Sequence, residues 1–426
     1  MSNTISELYA YFEKYPLIVT DSRNVKENSI FFALKGDNFN GNEYAESAIN
    51  EGARIAVVDE VKYARDNRFI LVDNVLKTLQ ELSLWHRKKL NIPVIGITGS
   101  NGKTTTKELI NAVLSTQLKC SATKGNFNNH LGVPLTLLSI DKHDEIAIVE
   151  MGANHIGEIE QLCKLACPSH GIITNIGKAH LEGFTNLDNI IKTKVALYEY
   201  VQKNGSCVFV NHDDVLLMEN SKFVKKITYT NGMIGDVKAE LIASEPFISI
   251  KWEDYIIPTN LFGQYNIYNV LAAITIGKHF GITSDNIIKA INAYIPQNNR
   301  SQLIKTAFNT IIMDAYNANP TSMEAAIISF AHIKGDNKSA IIGDMLELGM
   351  EKEKEHIKII ELLKKNELQD VFLVGNIFSS VNNSTFKTFK DTISLKSFLD
   401  ENPLRDKTIL IKGSRGIKLE LITQSL

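Results

Sequence analysis

The stretch GITGSNGKTTTKE (Gly96–Glu108) follows the apolar run IPVI and leads into LINAVL, so it lies between a predicted strand and a predicted helix. Glycines let the backbone turn tightly and bring its N–H groups against an anion, and a helix start adds a positive dipole end. Lys103 is then positioned for outer phosphates, and the Thr104 hydroxyl for a magnesium ion. The motif is GxxGKTT from Gly99 rather than the strict GxxxxGK[ST], because Ile97 stands five residues before Gly102. A glycine-rich turn with a surface lysine is the plainer reading. Strand before, helix after and the KTT ending together favour a phosphate loop.

Outward from this loop, the chain alternates strand and helix patterns. EIAIVE (Glu145–Glu150) and GIITN (Gly171–Asn175) read as further strands, each ending in a polar residue. Such alternation predicts a parallel sheet whose ligands gather outside the carboxyl ends of the strands, bringing Glu150 and Asn175 near the loop. Upstream, VVDE and FILVDN are short strands, and NVLKTLQELSLWHRKKL (Asn74–Leu90) is an amphipathic helix leading to the loop. Downstream, TIIMD, SAIIGD, VFLVG and TILIKG alternate with helical segments as a smaller α/β unit, and YIPQNNRSQ (Tyr294–Gln302) is a plausible hinge. The expected architecture is three α/β units: 1–85, a central P-loop parallel-sheet unit at 86–297, and a Rossmann-like unit at 298–426.

At 426 residues with 44% hydrophobic and 22% charged residues, composition fits ordinary globular domains. A net charge of −2 argues against a nucleic-acid partner. No apolar run reaches the roughly 20 residues that span a bilayer, so no membrane insertion is expected. The N-terminal MSNTISELYAYFEKYP has no secretory pattern, and the four scattered cysteines read as free thiols, so a cytoplasmic location is expected.

Glu150 is either a magnesium carboxylate or a helix cap or solvated loop acid, and the pattern does not choose. His180, in TNIGKAHLEGF, is by itself as readily a packed histidine as a ligand. On spacing alone, Lys192 and Lys194 read as solvated lysines of an amphipathic helix, and EKEKEH (Glu351–His356) as a solvated face. Asparagines cluster in GNFNNH, QYNIYN and YNANP; an amide suits a base edge, sugar or peptide, and it also suits a turn.

With these segments in order, the chain resembles the Mur ligases, ATP-dependent amide-forming enzymes of peptidoglycan synthesis. The likeness runs from DSR at Asp21 to KGSRG at Lys412. DAYNANPTSMEAAI and GDMLELG look like the signature of members that add D-alanyl-D-alanine to UDP-N-acetylmuramoyl-tripeptide, and the DNPR motif of members adding the third amino acid is absent. The resemblance implies ATP phosphates on Gly99, Ser100, Asn101, Gly102, Lys103, Thr104 and Thr105. It implies adenine at Asn266 and Asn269, and phosphate and ribose contacts at Arg300 and Asp314. Thr104, Glu150, His180 and a CO2-carbamylated Lys194 would serve two Mg2+ ions, with Lys103, Glu150, His180 and Lys194 as the catalytic set. Ser22, Arg23, Lys35, Gly36, Asn40 and Gly41 would form the uridine-diphosphate pocket. Asn126, Asn128 and Asn129 would line the muramoyl-peptide channel, and Tyr316, Asn317 and Asn319 would receive the dipeptide.

Each of these sites would be made within one chain, so a monomer is expected. The sequence departs from many relatives at Ala196, where they carry Glu, and at Tyr265, where they carry His. Two other functions stay open: another amino-acid-adding or folylpolyglutamate-type ligase, and a nucleotide switch whose hydrolysis drives a partner.

Overall fold

The computed structural model describes residues 2–335, 337–383 and 385–426. Three sheets carry the chain. The first is wholly parallel, in the order Ile18–Val19, Ile30–Phe32, Ile55–Val58, Phe69–Leu71. Its helix Val75–Lys89 is capped by Asn74, whose side chain accepts the Lys77 N–H at 2.8 Å. Val75, Leu79 and Leu82 of that helix share a core with Leu138 of the helix Gly132–Leu138. The first unit thus rests on the central one immediately after the asparagine-rich GNFNNH.

The central sheet has nine strands among the described residues. Val94–Thr98 lies in its interior, hydrogen-bonded in parallel to Ile146–Glu150 on one side and His170–Ile173 on the other. All three are buried throughout, as expected of a parallel sheet covered on both faces. Cys120–Ala122 closes one edge. Cys207–Asn211, Lys226–Thr230 and Val237–Ala243 continue the other. There the sheet turns antiparallel through Ser249–Trp252 and Tyr255–Pro258. This extension has no sequence expectation behind it; Ile248, Ile250, Trp252 and Ile257 fill the core beneath the helix Ile267–His279.

The third sheet holds Thr310–Asp314, Thr408–Lys412, Lys338–Gly343, Val371–Val374 and Lys387–Phe389 in parallel, with Gln302–Lys305 antiparallel at its edge. The expected three-unit α/β architecture is what the chain adopts. Between the second and third sheets, Asn298, Asn299 and Ser301 all have positive φ (61°, 57° and 48°), a left-handed stretch where asparagine is better tolerated than most residues. No helix of the described residues is long and apolar enough to cross a membrane.

Two expectations fail on the same ground. Lys194 is 2% exposed, because it stands in the stripe Ile190–Lys194–Leu197–Val201 that the helix Leu187–Asn204 turns inward; Lys192 is exposed as expected. In EKEKEH the first four residues are exposed, but Glu355 and His356 are buried, in line with Ile359, Ile360 and Leu363 of the helix Lys352–Lys365.

The helix that begins at Lys103 is set by a close helix–helix contact at Gly277. A Cβ there would stand 2.6 Å from Val113 Cγ1 and 3.1 Å from Ile287 Cδ1. Gly277→Val is expected to lower unfolding stability by about 1–3 kcal/mol through overpacking. Urea denaturation of the variant beside the parent measures it.

Candidate active site

The loop between Thr98 and Lys103 needs its glycines. Gly99 has φ +150° and a Cβ would fall 1.9 Å from Thr174 Oγ1; Gly102 has φ +78° and a Cβ would meet Asn269 Oδ1 at 2.8 Å. Asn175, at the end of the neighbouring strand, clamps the loop from outside. Its carbonyl accepts the Ser100 N–H at 2.9 Å, its Oδ1 accepts the Asn101 N–H and its Nδ2 donates to the Asn101 carbonyl, both at 3.0 Å. Ser100 Oγ donates to Gly177 O at 2.9 Å.

Lys103 opens the helix Lys103–Leu114 and folds over its own loop, donating to Gly99 O at 2.7 Å and Ser100 O at 3.3 Å. Thr104 Oγ1 donates to Glu150 Oε2 at 3.0 Å, and Asn128 Nδ2 to Glu150 Oε1 at 2.8 Å. Glu150 is 1% exposed, which disposes of the solvated reading. Lys107, which the motif did not single out, stands 4.0 Å from Glu150 Oε2 and donates to Thr123 O at 2.7 Å.

Cations outnumber acids around this carboxylate. Burial depresses the Lys103 ammonium, Glu150 opposes the shift, and Arg300 adds to it. Lys107 is depressed by burial in the same way. Lys194 lies well below the ordinary lysine range, first through burial and then through Lys103. No carboxylate is among the causes acting on it. Arg300 lies over the Tyr316 ring at 3.6 Å, and its buried Nε has no partner among the described residues. Asp314, by contrast, is matched: Lys412 Nζ stands 2.6 Å from Oδ2, and the Ser301 N–H donates to Oδ1 at 3.1 Å.

A cavity of about 1020 Å³ joins these groups. The central unit lines it with Ser100 through Thr105, Asn126, Asn128, Asn129, Glu150, His180, Asn266 and Asn269. The third unit contributes Arg300, Asp314, Tyr316, Asn317 and Asn319. Lys194 does not line the cavity; it sits behind it, within electrostatic reach of Lys103. Asn266 and Asn269 are tied to each other, Asn269 Nδ2 donating to Asn266 Oδ1 at 2.7 Å, and Thr106 Oγ1 donates to Asn269 Oδ1 at 3.0 Å. Tyr265, one of the departures, is half-buried and its hydroxyl meets Ser301 Oγ at 3.2 Å. Asn129 serves a turn, accepting the N–H groups of Leu131 and Gly132 at 3.1 and 2.9 Å.

The third unit touches the central one directly. Asn319, which caps the helix Pro320–Ala331, donates from Nδ2 to Asn101 Oδ1 at 2.7 Å. His180 has a left-handed backbone and its Nδ1 meets Glu347 of GDMLELG, which holds the Glu347 carboxyl below its usual range. Lys178 Nζ stands 3.4 Å from the buried Glu355, a second cross-unit pair in the run expected to be solvated.

The N-terminal candidates do not line this cavity. Lys35 is paired with Asp59 at 2.8 Å and Glu60 at 3.0 Å, and Asn40 Nδ2 donates to Glu60 Oε1 at 2.9 Å. Gly41 packs so tightly that a Cβ would fall 2.2 Å from Leu34 O, and at Gly36 it would strike the Phe39 ring at 2.3 Å. Ser22 and Arg23 lie on a separate turn where Arg23 forks onto Asp21 at 2.9 and 2.7 Å, holding that carboxyl down at about 2.

Comparison with known proteins places this arrangement. Residues 14–95 match the Mur ligase family catalytic domain, 97–277 the Mur ligase middle domain and 299–415 the Mur ligase glutamate ligase domain. The UDP-N-acetylmuramoyl-tripeptide--D-alanyl-D-alanine ligase of Bacillus subtilis (strain 168) is 35% identical, over 96% of this chain and 92% of its own. A crystal structure of MurF from Acinetobacter baumannii superposes with a TM-score of 0.85 at 30% identity, covering 96% of this chain and 92% of that one. MurF from Thermotoga maritima in complex with ADP gives 0.85 at 25% identity, with 96% of each chain covered. The chain belongs to the Mur ligase family.

Proposed function

We propose that this chain is an ATP-dependent amide ligase that joins D-alanyl-D-alanine to UDP-N-acetylmuramoyl-tripeptide, giving the pentapeptide precursor of peptidoglycan. One observation carries the reading: a single cavity joins a phosphate loop, the Thr104–Glu150 pair and a wall supplied by the third unit. Likeness at 35% identity to a ligase of that name supports the choice of substrates. The proposed division is a UDP-sugar-binding unit at 1–85, an ATP-binding unit at 86–297 and a dipeptide-receiving unit at 298–426. The proposed location is cytoplasmic and the proposed state a monomer.

A carboxylate is a poor electrophile. In the proposed reaction the tripeptide carboxylate attacks the ATP γ-phosphoryl group, ADP leaves, and an acyl phosphate forms. The dipeptide amine then attacks the acyl carbon and phosphate departs from the tetrahedral adduct. Catalysis of the first step is mainly positioning and charge neutralisation. Lys103 and the loop N–H groups supply both, with Lys107 and Arg300 adding to the positive field. Asn319 holds the third unit against the loop through Asn101, and Asn317 and Tyr316 line that wall of the cavity, which keeps water from the acyl phosphate.

Thr104 and Glu150 present hard oxygen donors that already meet across 3.0 Å, a donor set that fits Mg2+. His180 keeps Nε2 for such a site, its Nδ1 being turned to Glu347. Thr104, Glu150 and His180 would hold such an ion, which would supply charge neutralisation at the transferring phosphoryl group. Burial of Lys194 favours its neutral amine, the form that adds CO2 to give a carbamate and a proton. Such a carbamate would present an anionic oxygen ligand for a second ion.

ADP release is expected to require both UDP-N-acetylmuramoyl-tripeptide and D-alanyl-D-alanine; steady release without the dipeptide would support the nucleotide-switch reading instead. Lys103→Ala is expected to lower turnover by about 10³-fold or more while the chain keeps its circular dichroism. Supply of 13C-bicarbonate is expected to give one carbamate carbon resonance, absent from Lys194→Ala.

A further inference from the structure

A second cluster of metal-binding side chains lies away from the cavity. His170 and Cys207 are the first residues of neighbouring parallel strands and pair directly in register, so their side chains leave the sheet on one face. His279 is the last residue of the helix Ile267–His279 that packs on that face. One ligand atom from each of the three lies within 4.8 Å of the others. These are the amino ends of the strands, whereas the phosphate loop follows a carboxyl end.

From this juxtaposition we infer a metal site for a borderline-soft divalent ion, zinc by donor chemistry, held by His170, Cys207 and His279. Two imidazoles and a thiolate suit zinc far better than magnesium or calcium. His170 Nε2 and His279 Nε2 stand 3.2 Å apart. Two nitrogens on a tetrahedral zinc, each at about 2.0–2.1 Å, are separated by about 3.4 Å, so the imidazoles are already spaced for one ion.

The outer partners agree. Ser169 Oγ lies 2.9 Å from His170 Nδ1 and 3.2 Å from Val94 O. With its single proton on Val94 O, the hydroxyl accepts from His170 Nδ1–H and leaves the Nε2 lone pair facing His279. The carbonyl end of the helix adds negative potential at His279. Phe209 and Phe280 flank His170, with ring centroids 6.0 and 5.1 Å away, and limit water on that side. On binding, the thiol gives its proton to solvent and both imidazoles stay neutral. The ion would pin two strand ends to a helix end as a structural staple.

The full chain, stripped with chelator and kept reduced, is titrated with Co2+ and then Zn2+. One equivalent of Co2+ should produce a thiolate-to-cobalt charge-transfer band, which Zn2+ removes, and Zn2+ should raise the thermal midpoint. His279→Ala, a substitution at an exposed position, and Cys207→Ser should each weaken binding by more than about 100-fold, beyond what loss of an outer partner gives. His279→Ala should leave ADP release unchanged. A missing charge-transfer band, or binding that persists undiminished in both variants, overturns the site.

Discussion

The structure depends on holding several cations out of water at one place. Lys103 and Lys107 converge on the mouth of the central sheet around Glu150, Arg300 leans in from the third unit, and Lys194 stands behind Lys103. Burying like charges together is unfavourable, and the surrounding fold has to sustain it. The loop carbonyls receive Lys103, the Thr123 carbonyl receives Lys107, and the Tyr316 ring receives Arg300. Burial and the nearby Lys103 both disfavour a charge on Lys194. Such a site suits anions, and a bound polyphosphate would offset the positive charge gathered there.

Much of that site was written in local pattern. GSNGKTT between an apolar run and a helical stripe led to the loop, and the rule that ligands gather at carboxyl ends of parallel strands led to Glu150 and Asn175. The asparagine segments were visible as clusters, but their roles were not. Asn129 turns out to serve a turn, Asn128 to hold the Glu150 carboxylate, and Asn319 to cap a helix and reach across to Asn101.

What stayed hidden was hidden for identifiable reasons. Lys194 occupies a stripe position, and the stripe Ile190–Lys194–Leu197–Val201 was there to be read; chemical prejudice against a buried lysine obscured it. Glu355 and His356 were masked by four exposed charged neighbours. The antiparallel extension from Val237 to Pro258 lacks the strand–helix alternation that revealed the rest. The meeting of His170, Cys207 and His279 joins residues far apart in sequence, and no spacing rule finds it.

The contact between Asn101 and Asn319 differs in kind from its surroundings. Two neutral amides meet at the centre of the seam, each able to give and take a proton bond with the other. The same seam carries the ion pair Lys178–Glu355 and the hydrogen bond between His180 and Glu347. Added electrolyte weakens attraction between ions and leaves an amide pair nearly untouched. Salt therefore weakens the Lys178–Glu355 attraction while the amide pair keeps its grip, so the two units retain their alignment as the force drawing them together is dialled down.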